Sequence, residues 1–169
     1  MKMACRIADG VIHAGAVDGL EDLVPRIRTY SVEAGRAPGS IELISRLPCA
    51  IDTDAAAARE QVKGVIARTA MTQLGRLYDR GQLDNEHDRE AVERMRREYD
   101  TYHHMDAAHN YLVRGEWVER FAIAGTPVQS RAQVQRIFAS GADELTIIPC
   151  GASKQATLES FAREVMEKL

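Results

Sequence analysis

The sequence predicts an α/β fold with parallel strands, and two features of the chain lead to this prediction. Short apolar runs of strand length alternate with longer amphipathic segments of helical period, and such alternation is typical of βαβ units. The runs are also apolar enough to be covered on both faces, as the strands of parallel sheets usually are. We therefore expect parallel strands joined by right-handed helical crossovers.

The segment from Gly125 to Pro149 shows this unit most clearly. Thr126 can cap a helix, because its hydroxyl can accept from the backbone N–H of Gln129 while the Gln129 side chain reaches back. Pro127 suits the first helical position, where its missing N–H costs nothing. The rest of the unit comprises Val134, Ile137 and Phe138 on one helix face, a stop at Gly141, and the apolar strand Leu145–Ile148.

The N-terminal part predicts a helix end followed by a strand–helix–strand unit. Residues 1–9 resemble the last turns of a helix that stops at Gly10. Its apolar face would consist of Met3, Ile7 and Ala8. The elements that follow are a strand at Val11–Ala14, a helix from Asp18 to Gly35 and a strand at Ile41–Leu47.

Helices fill the middle of the chain. Thr53 or Asp54 can cap a long helix that runs to about Arg80. A highly charged segment, residues 84–102, predicts a second helix, and the charge run Asp88–Asp100 indicates a solvated helix face. The next segments are residues 103–115, predicted as loop or frayed helix, and Glu116–Ala124, predicted as either a helical turn or a short strand with Trp117 as a packing residue.

The last helix of the chain is predicted after the strand that ends at Pro149. Ser153 is its expected cap. Its apolar face would consist of Leu158, Phe161, Ala162, Val165, Met166 and Leu169.

Composition narrows the class of protein. With 169 residues, of which 45% are hydrophobic and 28% charged, the chain is expected to form a single domain spanning residues 1–169. A net charge of -3 and only 5% aromatic residues argue against nucleic acid as a partner. The apolar runs are too short for a membrane span. The N-terminal residues do not resemble an export signal, so we expect a cytoplasmic location with reduced cysteines.

The predicted strands are too few for a complete sheet. Three parallel strands leave two outer edges without a partner, and the first nine residues read as the end of a helix. The chain is therefore predicted to be part of a larger (β/α) barrel.

The chain contains an ordered set of short motifs. They are Arg6–Ile12 (RIADGVI), Glu33–Arg36 (EAGR), Tyr99–His104 (YDTYHH), Phe121–Ile123 (FAI), Gly125–Pro127 (GTP), Gly141–Leu145 (GADEL) and Phe161–Val165 (FAREV). This set resembles the luciferase-like monooxygenase superfamily, and in particular its branch that depends on the deazaflavin coenzyme F420 and is similar to methylenetetrahydromethanopterin reductases. The resemblance covers essentially the whole chain.

The resemblance implies a partial TIM (β/α)8 barrel. Members of the superfamily are barrels of roughly twice this length, and this chain resembles their last three βα units with a helical insertion before the final strand. The implied function is hydride transfer or monooxygenation of a small-molecule substrate with F420 or FMN. In such enzymes the cofactor supplies the hydride chemistry, and the protein positions and shields it.

Five residues are expected to contact the cofactor. Active sites of TIM barrels lie at the C-terminal ends of the strands, where this chain has His13, Ala14 and Gly15 after one strand and Cys150 and Gly151 after another. The resemblance marks the first loop as the phosphate-contacting loop. Backbone N–H groups near Gly15 and the following helix N-terminus could hold a phosphate, although the side-chain anchors found in some F420 enzymes are replaced by Ala14 and Val17.

His103 and His104 are the candidate catalytic residues. Together with His109 they form a histidine cluster in the insertion, which in a barrel can fold over the active-site mouth. Imidazole titrates near neutral pH and can therefore donate a proton or contact a substrate. A zinc site formed by His13, Cys49 and Cys150 is the less favoured reading, because no ligand spacing supports it, and no metal is predicted.

Two further hypotheses stay open at this point. One is that the chain is a truncated, non-catalytic paralogue that acts as a binding or assembly subunit, since strands and phosphate anchors of the superfamily are absent. The other is that Met1 is an internal start, which would make the sequence a fragment. In the two functional readings the unpaired edges predict association, either as a homo-oligomer or with a chain that supplies the complementary half of the barrel.

Overall fold

The computed structural model describes residues 1–103 and 105–169. Within these residues the strands are β1 (Gly10–His13), β2 (Glu42–Ile51), β3 (Ile123–Gly125) and β4 (Glu144–Pro149). The α-helices are α1 (Lys2–Ile7), α2 (Leu20–Glu33), α3 (Ala55–Asp79), α4 (Glu86–Glu98), α5 (Gly115–Phe121), α6 (Pro127–Ala139) and α7 (Lys154–Glu164). Short 3-10 turns lie at Val17–Gly19, Thr101–His103, Ala107–Leu112 and Met166–Lys168.

All four strands are parallel, and β2 lies at the centre of the sheet. Ile44 and Ser45 pair with both β1 and β4, so these two strands lie on opposite edges of β2. Cys49 pairs with both β3 and β4, so these two strands also lie on opposite sides of β2. β3 is therefore on the same side of β2 as β1, nearer the C-terminal end of β2. Because the strands are parallel, their C-terminal ends meet at one rim of the sheet. The α/β class and the partial barrel predicted from the sequence are confirmed. The structure has four strands where three were predicted, so the helical insertion precedes β3 and not the final strand, β4.

One face of the sheet is covered by helices. Leu43, Leu47 and Cys49 of β2 are buried there, and they belong to one hydrophobic cluster with side chains of α2, α6 and α7. A second cluster surrounds the long helix α3. It contains Val62, Ile66 and Leu74 of α3 together with Val92, Met95, Trp117 and Phe121 from α4 and α5.

The other face of the sheet, which we call the open face, is not covered in the same way. Side chains along a strand point alternately to the two faces of the sheet, and this alternation determines which residues lie on the open face. Ile12, Arg46 and Thr146 on this face are exposed, while Ile44 and Ile148 are half-buried. The prediction that the strands are covered on both faces is therefore wrong for β1, for β4 and for the first half of β2.

The segment predicted as either a helical turn or a short strand contains both. α5 ends at Phe121, and β3 begins two residues later. The capping box at Thr126 and Gln129 is confirmed, and so are the caps at Asp54 and Ser153. Within the described residues, no helix is both long enough and apolar enough to cross a membrane.

Three predicted apolar faces are wrong in part. In α1 the buried side chain is Cys5, whereas Met3 and Ile7 are exposed. In α6 and α7 the core contacts of Val134, Ile137, Phe161 and Val165 agree with the predicted faces. The members of these faces that the structure leaves exposed are Phe138, Leu158, Ala162, Met166 and Leu169.

The charged helix α4 is anchored by one buried carboxylate, which corrects the prediction that the run from Asp88 is entirely solvated. Asp88 Oδ1 accepts a hydrogen bond of 2.8 Å from Trp117 Nε1. Arg120 Nη1 lies 3.4 Å from Asp88 Oδ2, and Arg114 Nε lies 3.7 Å from Oδ1. Trp117 is fully buried, which confirms it as a packing residue. These contacts hold α4 against α5.

We predict that Asp88→Ala lowers the free energy of unfolding by about 2 kcal/mol, because it leaves the buried Trp117 N–H without an acceptor. Asp88→Asn keeps an acceptor oxygen for this N–H and should lower the free energy of unfolding by less. Urea unfolding followed by circular dichroism measures both values. Glu90→Ala is the matched control on an exposed position of α4, with an expected change within about 0.5 kcal/mol. Equal losses for Asp88→Ala and Glu90→Ala would contradict this account.

Candidate active site at the strand rim

A cavity of about 710 Å³ opens at the rim where β4 ends. Its walls come from α3, from residues 105–110 of the insertion, and from the segment 148–154 that connects β4 to α7. The apolar part of the lining includes Val65, Met105, Ile148 and Pro149. The polar part consists of Glu60, Gln61, Asn110 and Lys154. A cavity with apolar walls and a few polar groups is typical of a small-molecule site.

Glu60 and Asn110 form a fixed polar pair at one wall. Asn110 Nδ2 donates to the Glu60 backbone oxygen over 3.1 Å and to Glu60 Oε1 over 2.8 Å. Glu60 Oε2 lies 2.6 Å from Lys63 Nζ. The hydrogen bond from Lys63, followed by that from Asn110, lowers the pKa of Glu60, so this wall carries a carboxylate at neutral pH.

Lys154 gives the opposite wall a positive charge. It is the first residue of α7, whose N-terminus is capped by Ser153 Oγ accepting from the N–H of Ala156 over 3.2 Å. The N-terminus of a helix favours anions through its free N–H groups and its dipole. A lysine at the same place adds a full charge. This side of the cavity therefore suits a phosphate or carboxylate group.

Cys150 and Gly151, both predicted to contact the cofactor, line this cavity. Gly151 has φ +99°, a backbone conformation that favours glycine, and a Cβ added there would meet Oε1 at the end of the Gln61 side chain on α3. Burial raises the pKa of the Cys150 thiol, and burial with the neighbouring Cys150 raises the pKa of Cys49 to about 12. Both thiols are protonated at neutral pH and are poor nucleophiles.

His13, Ala14 and Gly15 lie at a different place along the rim. His13 Nε2 is 3.1 Å from the Ala16 carbonyl oxygen, and Gln73 Nε2 donates to the Ala14 carbonyl over 2.6 Å. Gln73 and Gln61 are both on α3 and twelve residues apart, which corresponds to about 18 Å along a helix. The five predicted residues thus do not share one cavity.

The helix after this loop begins with acidic residues. Glu21 and Asp22 occupy the first turn of α2, and Asp18 precedes it. These carboxylates already complement the helix dipole, and they repel a phosphate. The N-terminus of α7 is therefore a better anion site than that of α2.

The structure gives the histidines of the predicted cluster different positions and contacts. His103 is exposed, and its Nδ1 lies 2.6 Å from Asp100 Oδ2. It does not line the cavity, although Met105 two residues further on does. His104 lies outside the described residues. His109 is buried, and its Nε2 accepts from the N–H of Asp100 over 3.1 Å, so it serves the packing of the insertion. The catalytic roles of His103 and His104 stay predictions.

The hypothetical zinc ligands do not converge. The N–H of Cys150 donates to the Cys49 carbonyl over 2.8 Å, but Cys49 packs in the sheet–helix core and Cys150 packs in the cluster around α3. Across residues 1–103 and 105–169, no group of three or more His, Cys, Asp or Glu side chains is arranged to hold a metal ion.

The polar residues of the cavity were not identified from the sequence. Glu60, Gln61 and Asn110 come from a helix and a 3-10 turn far apart in the chain, and no local motif links them. Lys154 could have been predicted from the sequence as a site residue, because it directly follows Ser153, which caps a helix that begins at the end of a strand.

The sheet, the outer helices and the rim cavity define a class of protein: a partial (β/α) barrel with a cavity at the C-terminal ends of its strands, where the active sites of such barrels lie. Residues 1–144 match the family of luciferase-like monooxygenases. The chain belongs to this family.

Similar proteins include two F420-dependent enzymes. The chain is 27% identical to 5,10-methylenetetrahydromethanopterin reductase of Methanopyrus kandleri over 98% of its own length and 46% of the relative's. The structure of the coenzyme F420-dependent tetrahydromethanopterin reductase from the same organism superposes with a TM-score of 0.77 and 26% identity, over 99% of this chain and 47% of that one. An F420-dependent secondary alcohol dehydrogenase shares the fold, with a TM-score of 0.59 and 17% identity over 86% and 38% of the chains.

Flavin enzymes share the fold as well. A riboflavin lyase solved with modified FMN superposes with a TM-score of 0.61 and 18% identity, over 99% of this chain and 40% of that one. In each comparison the chain spans half or less of its relative.

The pairing of His103 with Asp100 predicts a pH effect. The hydrogen bond and the charge of Asp100 raise the pKa of His103 above the ordinary histidine value of about 6.5. We expect Asp100→Asn to lower this pKa, as measured by NMR titration of the ring protons, with His103→Gln assigning the signal. Because the pKa of His103 is raised in the folded state, the His103–Asp100 pair stabilises the folded chain fully below the ordinary pKa of histidine. This stabilisation is lost as the pH rises through the raised pKa. An unchanged titration in Asp100→Asn would contradict the pairing.

Proposed function

We propose that this chain carries part of the active site of an F420-dependent oxidoreductase and that the rim cavity binds the cofactor together with a small-molecule substrate. The observation that carries the proposal is the cavity at the end of β4, where Lys154 and the N-terminus of α7 meet an apolar wall. F420 and FMN both combine a flat ring system with a phosphate. The preference for F420 rests on the similarity to the F420-dependent reductase from Methanopyrus kandleri, and FMN is the second candidate cofactor.

Each group in the cavity has a role under this proposal. Lys154 and the α7 N–H groups hold the anionic part of the ligand. Val65, Met105 and Ile148 pack against the ring and exclude water, while Asn110 and the Glu60 carboxylate orient polar edges. F420, when bound, supplies hydride chemistry. The protein's part is to bind, orient and shield.

His103 and His104 are proposed as proton donors for the substrate. The raised pKa of His103, caused by Asp100, keeps more of this imidazole protonated near neutral pH, as an acid requires. Met105, two residues further along the chain, lines the cavity. We place the reaction in the cytoplasm, in keeping with three free, buried cysteines.

A non-catalytic subunit is the second candidate function. The observation that favours it is the loop after β1, where Ala14 and Val17 stand at the phosphate-contacting positions and acidic residues open α2. Such a subunit would bind neither cofactor.

Titration with F420, followed by its fluorescence, tests the proposal. We expect binding, and we expect Lys154→Ala to weaken it roughly tenfold, the equivalent of one charge-assisted contact. Lys168→Ala removes an equally exposed lysine beyond the end of α7 and should leave the affinity unchanged. A parallel titration with FMN identifies the preferred cofactor. If neither cofactor binds, the non-catalytic function is favoured.

Gly151→Ala tests where the ligand sits. The new methyl group would meet Gln61 at the cavity wall and would also strain the backbone, so we expect affinity for F420 to fall at least tenfold. Gly35→Ala is the matched control: Gly35 also has positive φ (+76°), but no atom lies within 4 Å of the added Cβ. Both variants should lose some stability, and only Gly151→Ala should lose binding. Equal affinity in the two variants would argue against this cavity.

A further inference from the structure

One residue that lines the rim cavity has an unusual backbone conformation. Met105 has φ +65°, and across residues 1–103 and 105–169 it is the one residue other than glycine with positive φ. This conformation is unfavourable for a residue with a Cβ, and turns that require it usually have glycine or asparagine at that point. Methionine occupies the position in spite of the strain, and such strain persists only where the surrounding contacts hold it.

Gly64 of α3 provides the main contact that holds this loop. A Cβ added at Gly64 would lie 2.5 Å from the Met105 carbonyl oxygen and 3.3 Å from the Asp106 carbonyl oxygen. Both oxygens belong to the backbone, so a change of rotamer would not relieve the clash. Asp106 fixes the loop further, because its N–H donates to the His103 carbonyl over 3.1 Å and its Oδ1 accepts from the N–H of Ala108 over 2.8 Å. The loop backbone therefore lies directly on α3 at a single glycine.

The Met105 side chain does not serve the core of the insertion. It is 45% exposed, whereas Leu112 and Val113 of the same insertion are 4% and 6% exposed. Met105 lines the cavity beside Val65 instead. A methionine side chain is unbranched and polarizable, so it adapts to the shape of a ligand, and its sulfur makes favourable contacts with aromatic rings.

We propose that Met105 is a specificity-determining residue of the rim cavity: it packs against the flat ring of the ligand, and the contact of its backbone with Gly64 keeps it at that wall. Lys154 and the N-terminus of α7 bind the anionic group of the same ligand. The two walls together select a flat aromatic ring that carries an anion. The strained backbone is what it costs to place a long apolar side chain at this point. The inference rests on the proposed function, because it requires such a ligand in this cavity.

NMR of the chain labelled with ¹³C at the methionine methyl groups tests the contact directly. The chain has six methionines, and Met105→Leu assigns the Met105 signal. On adding F420, or FMN in a parallel titration, the Met105 methyl resonance should shift upfield through the ring current of the bound ligand. Met166, which is 61% exposed and lies outside the cavity lining, is the matched control and should not shift.

Two negative outcomes of this titration are distinguishable. If a cofactor binds, as shown by its fluorescence and by the weaker binding of Lys154→Ala, but the Met105 signal does not shift, this inference is overturned and the proposed function stands. If neither cofactor binds to the unchanged chain, the proposed function fails and this inference fails with it.

Shortening the side chain separates its contact with the ligand from the strain of its backbone. Met105→Ala and Met105→Gly should both bind F420 roughly tenfold more weakly, the equivalent of one apolar contact. Because glycine tolerates positive φ, Met105→Gly should melt about 2 °C above Met105→Ala. A merely structural residue would change the melting temperature and leave the affinity unchanged, and that result would overturn the proposal. Equal melting temperatures would contradict the strained backbone.

The two glycines inside α3 test how Met105 is held. Gly64→Ala would push the loop away from α3, so affinity for F420 should fall at least tenfold while circular dichroism shows a folded chain. Gly75→Ala is the matched control, because a Cβ added there would lie at an ordinary contact distance of 3.7 Å from Arg96 Nη2. It should leave the affinity unchanged. Equal affinities of the two variants would overturn the role of Gly64 in placing Met105.

Discussion

The pairing of β2 with every other strand is the constraint on which the rest of the structure depends. Its edges accept β1 and β3 on one side and β4 on the other. Asp143 fixes the register at the start of β4, because its Oδ2 accepts from the N–H of Leu43 over 2.8 Å while its own N–H donates to the Leu43 carbonyl over 2.9 Å. This register brings the end of β4 level with the end of β2, and so it places Cys150, Gly151 and Lys154 against α3.

Local sequence signals predicted most of the elements. The caps at Asp54, Thr126 and Ser153 and the Pro127 helix start are properties of a few adjacent residues, and the structure contains all of them. Burial was harder to predict, because periodicity identifies an apolar face but not what covers it. Ile7 and Leu158 show this: both belong to the apolar pattern of a helix, yet both are exposed.

The candidate site could be predicted only in part. The expectation that ligands bind at the strand ends follows from parallel topology alone, and it selected Cys150 and Gly151, which line the cavity. The same rule gave equal weight to His13 and Gly15, since sequence does not reveal that Gln73 and the His13 ring fasten this loop. Glu60 and Asn110 meet only through the packing of the insertion on α3. Contacts of this kind depend on tertiary structure and leave no local motif.

One measurement tests the central claim most directly: the change in backbone amide NMR signals of the chain on adding F420. The account predicts that the largest changes fall on Gln61, Gly151 and Lys154, around the cavity at the end of β4. Changes confined to Gly15 and the start of α2, or no changes at any cofactor concentration, would contradict it.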